Sequence, residues 1–185
     1  CGECVEACPQ GAIIIQETET RDLSDFQGVV VFGEHQKGRT HPVSYELLGK
    51  GRMLAQTLME PLYSVIIGEK LEEATRELVY RGSDKVFVFD DPVLKDFRID
   101  PYTDILSDFF DEIKPSIVLI GATAIGRTLG PRVAARLKTG LTADCTSLDI
   151  DPETGLLLQT RPAYGGNIMA TIISPNSRPQ MATVR

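Results

Sequence analysis

From residue 27 onward, short apolar runs alternate with segments whose apolar residues recur at helical spacing. This alternation is typical of a parallel sheet whose strands are joined by crossover helices. The predicted strands are 28–33, 63–67, 85–89 and 116–120, and the predicted helices between them are 44–59, 71–80 and 102–113. Ser44 and the pair Asp100–Pro101 have the residue types that begin helices. The order of these elements predicts an α/β fold.

The pattern changes after Leu137, where apolar segments follow one another too closely to leave room for helices. These segments are 142–150, 156–160, 168–174 and 181–184. Because antiparallel strands need only short turns, we expect these segments to be hairpin-linked or edge strands. The sequence therefore predicts a parallel sheet with crossover helices that ends in antiparallel strands.

The composition limits the functions open to this chain. With 185 residues, of which 42% are hydrophobic and 24% charged, the chain can bury one globular core with a small appendage. A net charge of -7 argues against nucleic acid as a partner, because phosphate binding needs a basic surface. No apolar run approaches the ~20 residues that cross a bilayer, so we expect a soluble protein without membrane insertion.

The first nine residues carry a cysteine run that predicts an iron–sulfur centre. Cys1, Cys4 and Cys8, the last followed by Pro9, have the spacing of the last three cysteines of the bacterial ferredoxin run. This resemblance implies that Cys1 and Cys4 share one 4Fe-4S cluster, that Cys8 serves another, and that the opening cysteine precedes this chain. A zinc knuckle or a redox Cys-x2-Cys pair is the alternative, although neither explains the Cys-Pro ending.

The cysteine run also suggests a division of the chain. We expect residues 1–15 to be the end of a ferredoxin-like α+β domain, 16–25 to be a polar linker, and 26–185 to be the α/β domain. An oxygen-sensitive cluster and the lack of a disulfide pattern favour a reducing cytoplasm. Cys145 stands alone in an apolar stretch and is predicted to be a small buried hydrophobic residue. His35 and His41 have no cysteine or carboxylate at metal-ligand spacing, so we expect solvated loop histidines.

A glycine-containing loop at 121–128 follows a predicted buried strand and opens a helix, which is the setting of a phosphate-binding loop. It nearly matches the pattern Gly-x4-Gly-Lys-Thr, but Arg127 stands where lysine belongs, and a planar guanidinium does not replace the compact ammonium. Two other interpretations remain open. The glycines can allow close packing of strand and helix, with Thr123 capping the helix, or a diphosphate can rest on the helix N-terminus.

A second loop, at 160–167, places Arg161 and Tyr164 beside Gly165 and Gly166, between two apolar strands. A loop with a cation, an aromatic ring and permissive glycines can contact a cofactor. The alternative is a surface hairpin in which the two glycines only make the turn. No Ser/His/Asp arrangement and no carboxylate pair indicates acid–base or nucleophilic catalysis, so this stretch of chain is not predicted to be a catalyst by itself.

Several longer segments together resemble one protein family. They are Phe26-Gln27-Gly28 with the strand that follows, the segment VSYELLG at 43–49, GATAIGRTLGPRVAARLKTGLTADCTSLDI at 121–150 and TRPAYGGNIMATIISPNSRPQMATVR at 160–185. Residues 26–185 resemble the N-terminal domain of electron-transfer flavoprotein α-subunits. Members with a ferredoxin-like N-terminal extension resemble the electron-bifurcating type, and the cysteine run fits that extension.

The resemblance implies a Rossmann-like domain, with a C-terminal FAD domain expected after Arg185, and a partner β-subunit that holds a second FAD. Five residues match the stretches expected to face that second flavin: Arg161, Tyr164, Gly165, Thr142 and Asp144. An arginine beside the flavin would stabilise negative charge and shift its potential, and we assign this role to Arg161. In this family the loop at 121–128 need bind nothing, which favours the packing interpretation.

The function implied by the resemblance is electron transfer that couples NADH, ferredoxin and an acyl-CoA or lactate-type (2-hydroxy acid) dehydrogenase through FAD and 4Fe-4S centres. A non-bifurcating carrier that passes electrons from ferredoxin to a flavin dehydrogenase would use the same residues and remains an alternative. A nucleotide-sensing module with a redox switch is a third interpretation, which Arg127 and the family resemblance disfavour.

Overall fold

The computed structural model describes residues 3–14 and 22–185, apart from the side chain of Tyr164. The helices in these residues are α1 (Glu3–Glu6), α2 (Pro42–Leu58), α3 (Glu72–Tyr80), α4 (Ile99–Ile113) and α5 (Ala124–Arg136). The strands are β1 (Val29–Gly33), β2 (His35–Gln36), β3 (Arg39–Thr40), β4 (Leu62–Gly68), β5 (Lys85–Asp90), β6 (Ile117–Gly121), β7 (Leu141–Cys145), β8 (Ser147–Ile150), β9 (Leu157–Ala163), β10 (Ile168–Ile172) and β11 (Gln180–Val184).

Six parallel strands form the central sheet, in the order β5-β4-β1-β6-β11-β7. Strands β8, β9 and β10 form a separate antiparallel sheet, and β2 pairs with β3 in a short hairpin. The predicted α/β class is therefore confirmed. All seven elements predicted between residues 28 and 120 occur, with ends that differ from the prediction by no more than three residues.

Helices cover both faces of the sheet, because its central strands are apolar on both sides. All five residues of β1 are buried. Val29 and Val31 point to one face and belong to a core cluster with residues of α2 and α3. Val30 and Phe32 point to the other face and belong to a cluster with residues of α4 and α5. This three-layer arrangement holds the carboxyl ends of the parallel strands at one edge.

The last strand departs from the sequence prediction. Segment 181–184 was expected to be a hairpin-linked or edge strand, but β11 lies inside the parallel sheet between β6 and β7, and all five of its residues are buried. The chain reaches this place after β7, β8, β9 and β10, so that β7 becomes the sheet edge. Strands β8 to β10 do pair antiparallel, as expected.

Two helix starts also differ from the prediction. Helix α2 begins at Pro42, and His41 caps it because its Nδ1 accepts a hydrogen bond from the amide of Val43 at 3.2 Å. The hydroxyl of the buried Ser44 instead accepts from the amide of Glu34 at 3.0 Å. Helix α4 begins at Ile99, just before Asp100–Pro101, which its first turn tolerates.

The two histidines have different environments. His35 lies in β2, and the prediction of a solvated loop histidine is wrong for it, since both ring nitrogens are buried without a hydrogen-bond partner among the residues that the structure describes. Burial lowers the pKa of His35, although the Asp90 carboxylate acts in the opposite direction. His41 is exposed, as predicted.

Candidate functional site: a cationic cleft at the carboxyl edge of the sheet

The expected ligand site of a sheet with this strand order is the crevice between β1 and β6. From β1 the chain builds β4 and β5 on one side, while β6 lies on the other, so the strand order reverses there. In open α/β sheets, ligands bind outside the carboxyl ends of the strands at such a point. The loop at 121–128 follows β6 and therefore lines this crevice.

Protein atoms fill the crevice in this chain. A Cβ added to Gly121 would lie 2.5 Å from Cγ1 of Val43, and one added to Gly126 would lie 1.9 Å from the carbonyl oxygen of Gly121. Glu34, which is 6% exposed, accepts a hydrogen bond from Oγ1 of Thr123. The same oxygen of Thr123 accepts from the amide of Gly126 at 3.0 Å and so caps α5. The packing interpretation of the loop is confirmed.

Arg127 does not face this crevice as a phosphate-binding residue would. Its Nε and Nη2 donate to the two carboxylate oxygens of Asp144, each at 2.9 Å. Bidentate pairing of this kind fixes the guanidinium plane. Arg127, which occupies the lysine position of the phosphate-loop pattern, thus holds α5 against β7.

An open cleft lies further along the same edge, where β9 and the turn Tyr164–Gly166 pass the carboxyl end of β11. The cleft has a volume of about 460 Å³ and is lined by Arg161, Pro162, Ala163, Gly165, Gly166 and Arg185. Gly165 and Gly166 have φ angles of 73° and 95°, which glycine adopts without strain. Among the residues that the structure describes, no acidic one lines the cleft, so the cleft favours an anion.

The two arginines of the cleft differ in their contacts. Nη2 of Arg185 lies 3.4 Å from a carboxylate oxygen of Asp144. The guanidinium of Arg161 makes no hydrogen bond or ion pair with the residues that the structure describes, although its charge acts on the thiol of Cys145. Arg161 is therefore available to an anion from another molecule.

Asp144 connects these cations to the sheet. Its backbone has a φ of 61°, and its amide donates to Oγ1 of Thr183 in β11 at 2.9 Å. Partial burial would by itself raise the pKa of Asp144, but the hydrogen bonds and charges of Arg127 and Arg185 outweigh it and lower the pKa. The carboxylate therefore stays ionised at neutral pH. Together with the guanidinium groups of Arg127, Arg161 and Arg185, it gives these four groups a net charge of +2.

The parallel sheet and the cleft lie within a segment that matches a known protein family. A family model described as "ETF: Electron transfer flavoprotein domain" matches residues 29–185, which include the whole parallel sheet and the cleft. This chain belongs to the electron transfer flavoprotein family. The chain spans about half the length of the curated relatives it matches.

Three relatives are similar to this chain over most of its length. Lactate dehydrogenase (NAD(+),ferredoxin) subunit LctC of Acetobacterium woodii is 49% identical over 100% of this chain and 44% of its own length. Electron transfer flavoprotein subunit alpha of Clostridium acetobutylicum is 52% identical over 88% of this chain and 48% of its own. Acryloyl-CoA reductase electron transfer subunit beta of Anaerotignum propionicum is 44% identical over 89% of this chain and 51% of its own.

The structure brings together only part of the set expected to face a flavin. In this electron transfer flavoprotein domain, Arg161 and Gly165 line the cleft, and Asp144 contacts the cleft through Arg185. Thr142 is only 6% exposed within β7, and the side chain of Tyr164 lies outside the described residues. Sequence reasoning missed Arg185. Its one signal was a cation directly after an apolar strand, whose position in the sheet the sequence did not reveal.

Cys145, beside this cleft, behaves as predicted. It is fully buried in the core, and its Sγ lies 3.5 Å from the carbonyl oxygen of Thr142. Burial raises its pKa to about 11, in spite of the nearby charge of Arg161. A thiol that stays protonated is neither a good nucleophile nor a metal ligand.

The N-terminal cysteines have a different environment. Cys4 is exposed in α1, while Cys1 lies outside the described residues. Hydrogen bonds from the backbone amides of Ala12 and Gln10, with smaller contributions from those of Ile13 and Gly11, lower the pKa of Cys8. A lowered pKa favours the thiolate, which is the form that iron binds. Within residues 3–14 and 22–185, no three metal-ligating side chains gather at one point. The two described thiols suit cluster ligation in exposure and chemistry.

Among the helices of residues 3–14 and 22–185, none combines the length and the apolar character that a bilayer-crossing segment needs.

Proposed function

We propose that this chain is an electron-transfer subunit of a flavin-based electron-bifurcating complex. The complex would couple NADH and ferredoxin to an acyl-CoA or 2-hydroxy acid dehydrogenase. The name of LctC contains NAD(+), ferredoxin and lactate dehydrogenase, and its match covers all of this chain, cysteine run included. The acryloyl-CoA reductase subunit supports an acyl-CoA partner in the same way.

The observation that carries the proposal is the guanidinium of Arg161, which has no partner within the described part of the chain and lies in an open cleft that none of its acidic residues lines. We propose that a β-subunit docks there with an FAD whose reduced form carries negative charge. Arg161 would stabilise that charge, as a fixed cation stabilises charge that develops during a reaction. Gly165 would allow close approach, Tyr164 and Asp144 would complete the surroundings, and the buried Thr142 would hold β7 in place.

We further propose that Cys1 and Cys4 bind one 4Fe-4S cluster and that Cys8 binds another. Residues 1–15 would then end a ferredoxin-like domain, 16–25 would connect it, and 26–185 would be the electron transfer flavoprotein domain. A bound flavin accepts two electrons from NADH as a hydride and can release them singly. One electron would pass to the dehydrogenase and one to ferredoxin, with the clusters as the route to ferredoxin. We place the complex in the cytoplasm.

The test uses the full-length chain, purified without oxygen together with its β-subunit. Iron, sulfide and flavin are quantified, and NADH-dependent ferredoxin reduction is measured with and without the dehydrogenase and its acceptor. We expect iron in multiples of four, two flavins per αβ pair, and ferredoxin reduction only when the acceptor is present. Iron with one flavin and no reaction with NADH would replace the proposal with the non-bifurcating carrier.

Three variants sharpen this test. Cys8→Ser should lower the iron content, while Cys145→Ala should leave it unchanged, because Cys145 is buried and protonated. Arg161→Ala should lower the yield of reduced ferredoxin per NADH. An unchanged yield in Arg161→Ala would remove Arg161 from the proposed mechanism.

A further inference from the structure

The cleft contains a second guanidinium, and its position depends on one carboxylate. Arg185 has no other side-chain partner among the described residues than Asp144, and its side chain is 56% exposed. A long exposed side chain with a single partner is held in place by that partner, because its other rotamers are otherwise accessible in water.

Asp144 is itself fixed by contacts with two elements, α5 and β11. Arg127 of α5 donates to both carboxylate oxygens, and Thr183 of β11 accepts from the backbone amide. Arg185 then contacts the same carboxylate from the end of β11, while its own amide donates to the carbonyl of Cys145 at 3.0 Å. The carboxylate can therefore transmit a fixed position from the fold to the guanidinium of Arg185.

We infer that Arg185 is a second anion-stabilising group of the cleft and that Asp144 is the positioning residue that holds it there. The inference rests on the proposed function, in which a flavin faces the cleft. Both guanidinium groups, those of Arg161 and Arg185, would stabilise the negative charge of the reduced flavin. Asp144 would then act through Arg185 and would not contact the flavin.

Physical chemistry supports two cations in place of one. In the free domain both guanidinium groups are partly exposed to water, which weakens their field. A docked flavin displaces water from the cleft, so each charge then acts through a lower dielectric constant. A planar guanidinium also keeps its charge at any working pH. The cleft would thus make reduction of the flavin easier without a proton-dependent group.

The experiment measures the two-electron midpoint potential of the β-subunit flavin in the full complex, by absorbance during a reductive titration. Arg185→Gln should weaken the preference for reduced over oxidised flavin about tenfold, which is a fall of about 30 mV. Arg185→Lys should recover part of the loss, because it keeps the charge but not the planar fork. Arg136→Gln is the matched control, since Arg136 is 53% exposed and pairs with Asp104 on another face.

Asp144→Asn separates positioning from simple charge. Loss of a nearby negative charge would by itself raise the potential, because the reduced flavin would be repelled less. Loss of a positioning contact would lower it, because Arg185 would leave the cleft. We expect a fall in potential, and no further fall in the double variant with Arg185→Gln. A rise in the potential of Asp144→Asn would overturn the positioning role.

Arg161→Gln makes the two possible failures distinguishable. If Arg161→Gln lowers the potential and Arg185→Gln leaves it unchanged, the role of Arg185 is wrong and the proposed function stands. If neither variant changes the potential, the flavin does not face this cleft and both proposals fail. Thermal melting of each purified complex, with flavin content, confirms that the compared proteins are folded and loaded.

Discussion

Two places on the same edge of the sheet have opposite properties. The crevice between β1 and β6 is where an α/β sheet usually binds its ligand. In this chain the crevice is filled by Val43 and by Glu34, which accepts a hydrogen bond from Thr123. The cleft beside β11 is open, and two arginines line it. Side chains close the position that the fold class favours, whereas β9 and the turn Tyr164–Gly166 line an open cleft elsewhere on the edge.

The difference between the two places is also electrostatic. The closed crevice holds the buried carboxylate of Glu34, which would repel a phosphate. Arg161 and Arg185 line the open cleft, and together with the neighbouring pair of Arg127 and Asp144 they carry a net charge of +2. An anionic ligand therefore finds attraction at only one of the two places. The following variants test each side of this comparison.

Gly126→Ala should have the largest effect, because its new Cβ would lie 1.9 Å from the carbonyl oxygen of Gly121. We expect a loss of about 3 kcal/mol in the free energy of unfolding, the upper part of the range for overpacking. The measurement is urea unfolding. Gly49→Ala is the control, since a Cβ there meets no atom within 4 Å, and alanine in a helix should add about 0.5–1 kcal/mol. Equal stability of the two variants would mean that the crevice is not closed by packing.

Thr123→Ala should have the next largest effect. It removes both the cap of α5 at the Gly126 amide and the donor to the buried carboxylate of Glu34. Together these losses should cost about 2 kcal/mol. The exposed Thr128 offers a matched control, because Thr128→Ala removes only a hydroxyl that donates to the Ala124 carbonyl and should change stability by less than about 0.5 kcal/mol. If the two variants unfold at the same urea concentration, Glu34 does not depend on Thr123.

Asp144→Asn tests the other place through pH. The folded-state pKa of Asp144 is lowered, so its contribution to stability is complete above its unfolded value and is lost as the pH falls through the folded one. At neutral pH the variant should lose about 1 kcal/mol. Near pH ~3, below the unfolded value, the loss should shrink, since the unfolded wild-type carboxyl binds a proton before the folded one does.

Urea midpoints of Asp144→Asn and wild type at the two pH values give this comparison. Asp100→Asn serves as the control, because Asp100 forms an exposed pair with Arg132 and should show little effect at either pH. A deficit of Asp144→Asn that stays the same at both pH values would show that its ion pairs do not stabilise the fold.

The smallest expected effect is that of added nucleotides on thermal stability. Millimolar ATP or AMP should leave the melting temperature of the domain unchanged, because the crevice after β6 is filled and Arg127 pairs with Asp144. Clear stabilisation by a nucleotide would support the nucleotide-sensing interpretation and would show that the crevice opens.

The local pattern predicted most of the fold and part of the site. Strands such as β1 are apolar at every position and helices such as α4 have apolar residues at helical spacing, so local sequence indicates both. Capping by Thr123 was also predictable, because it depends on residues three apart. The burial of His35 was not, since a hairpin two residues wide on each side leaves no periodic signal.

By itself the sequence predicted the alternation of strands and helices, the buried Cys145 and the candidate role of Arg161, and it favoured close packing around Gly126. Only the tertiary structure decided that β11 enters the parallel sheet, and therefore that Arg185 meets Asp144, 41 residues away in sequence. The physical reason is that spacing records which neighbours share a face, whereas contacts between distant strands depend on how the whole sheet is assembled.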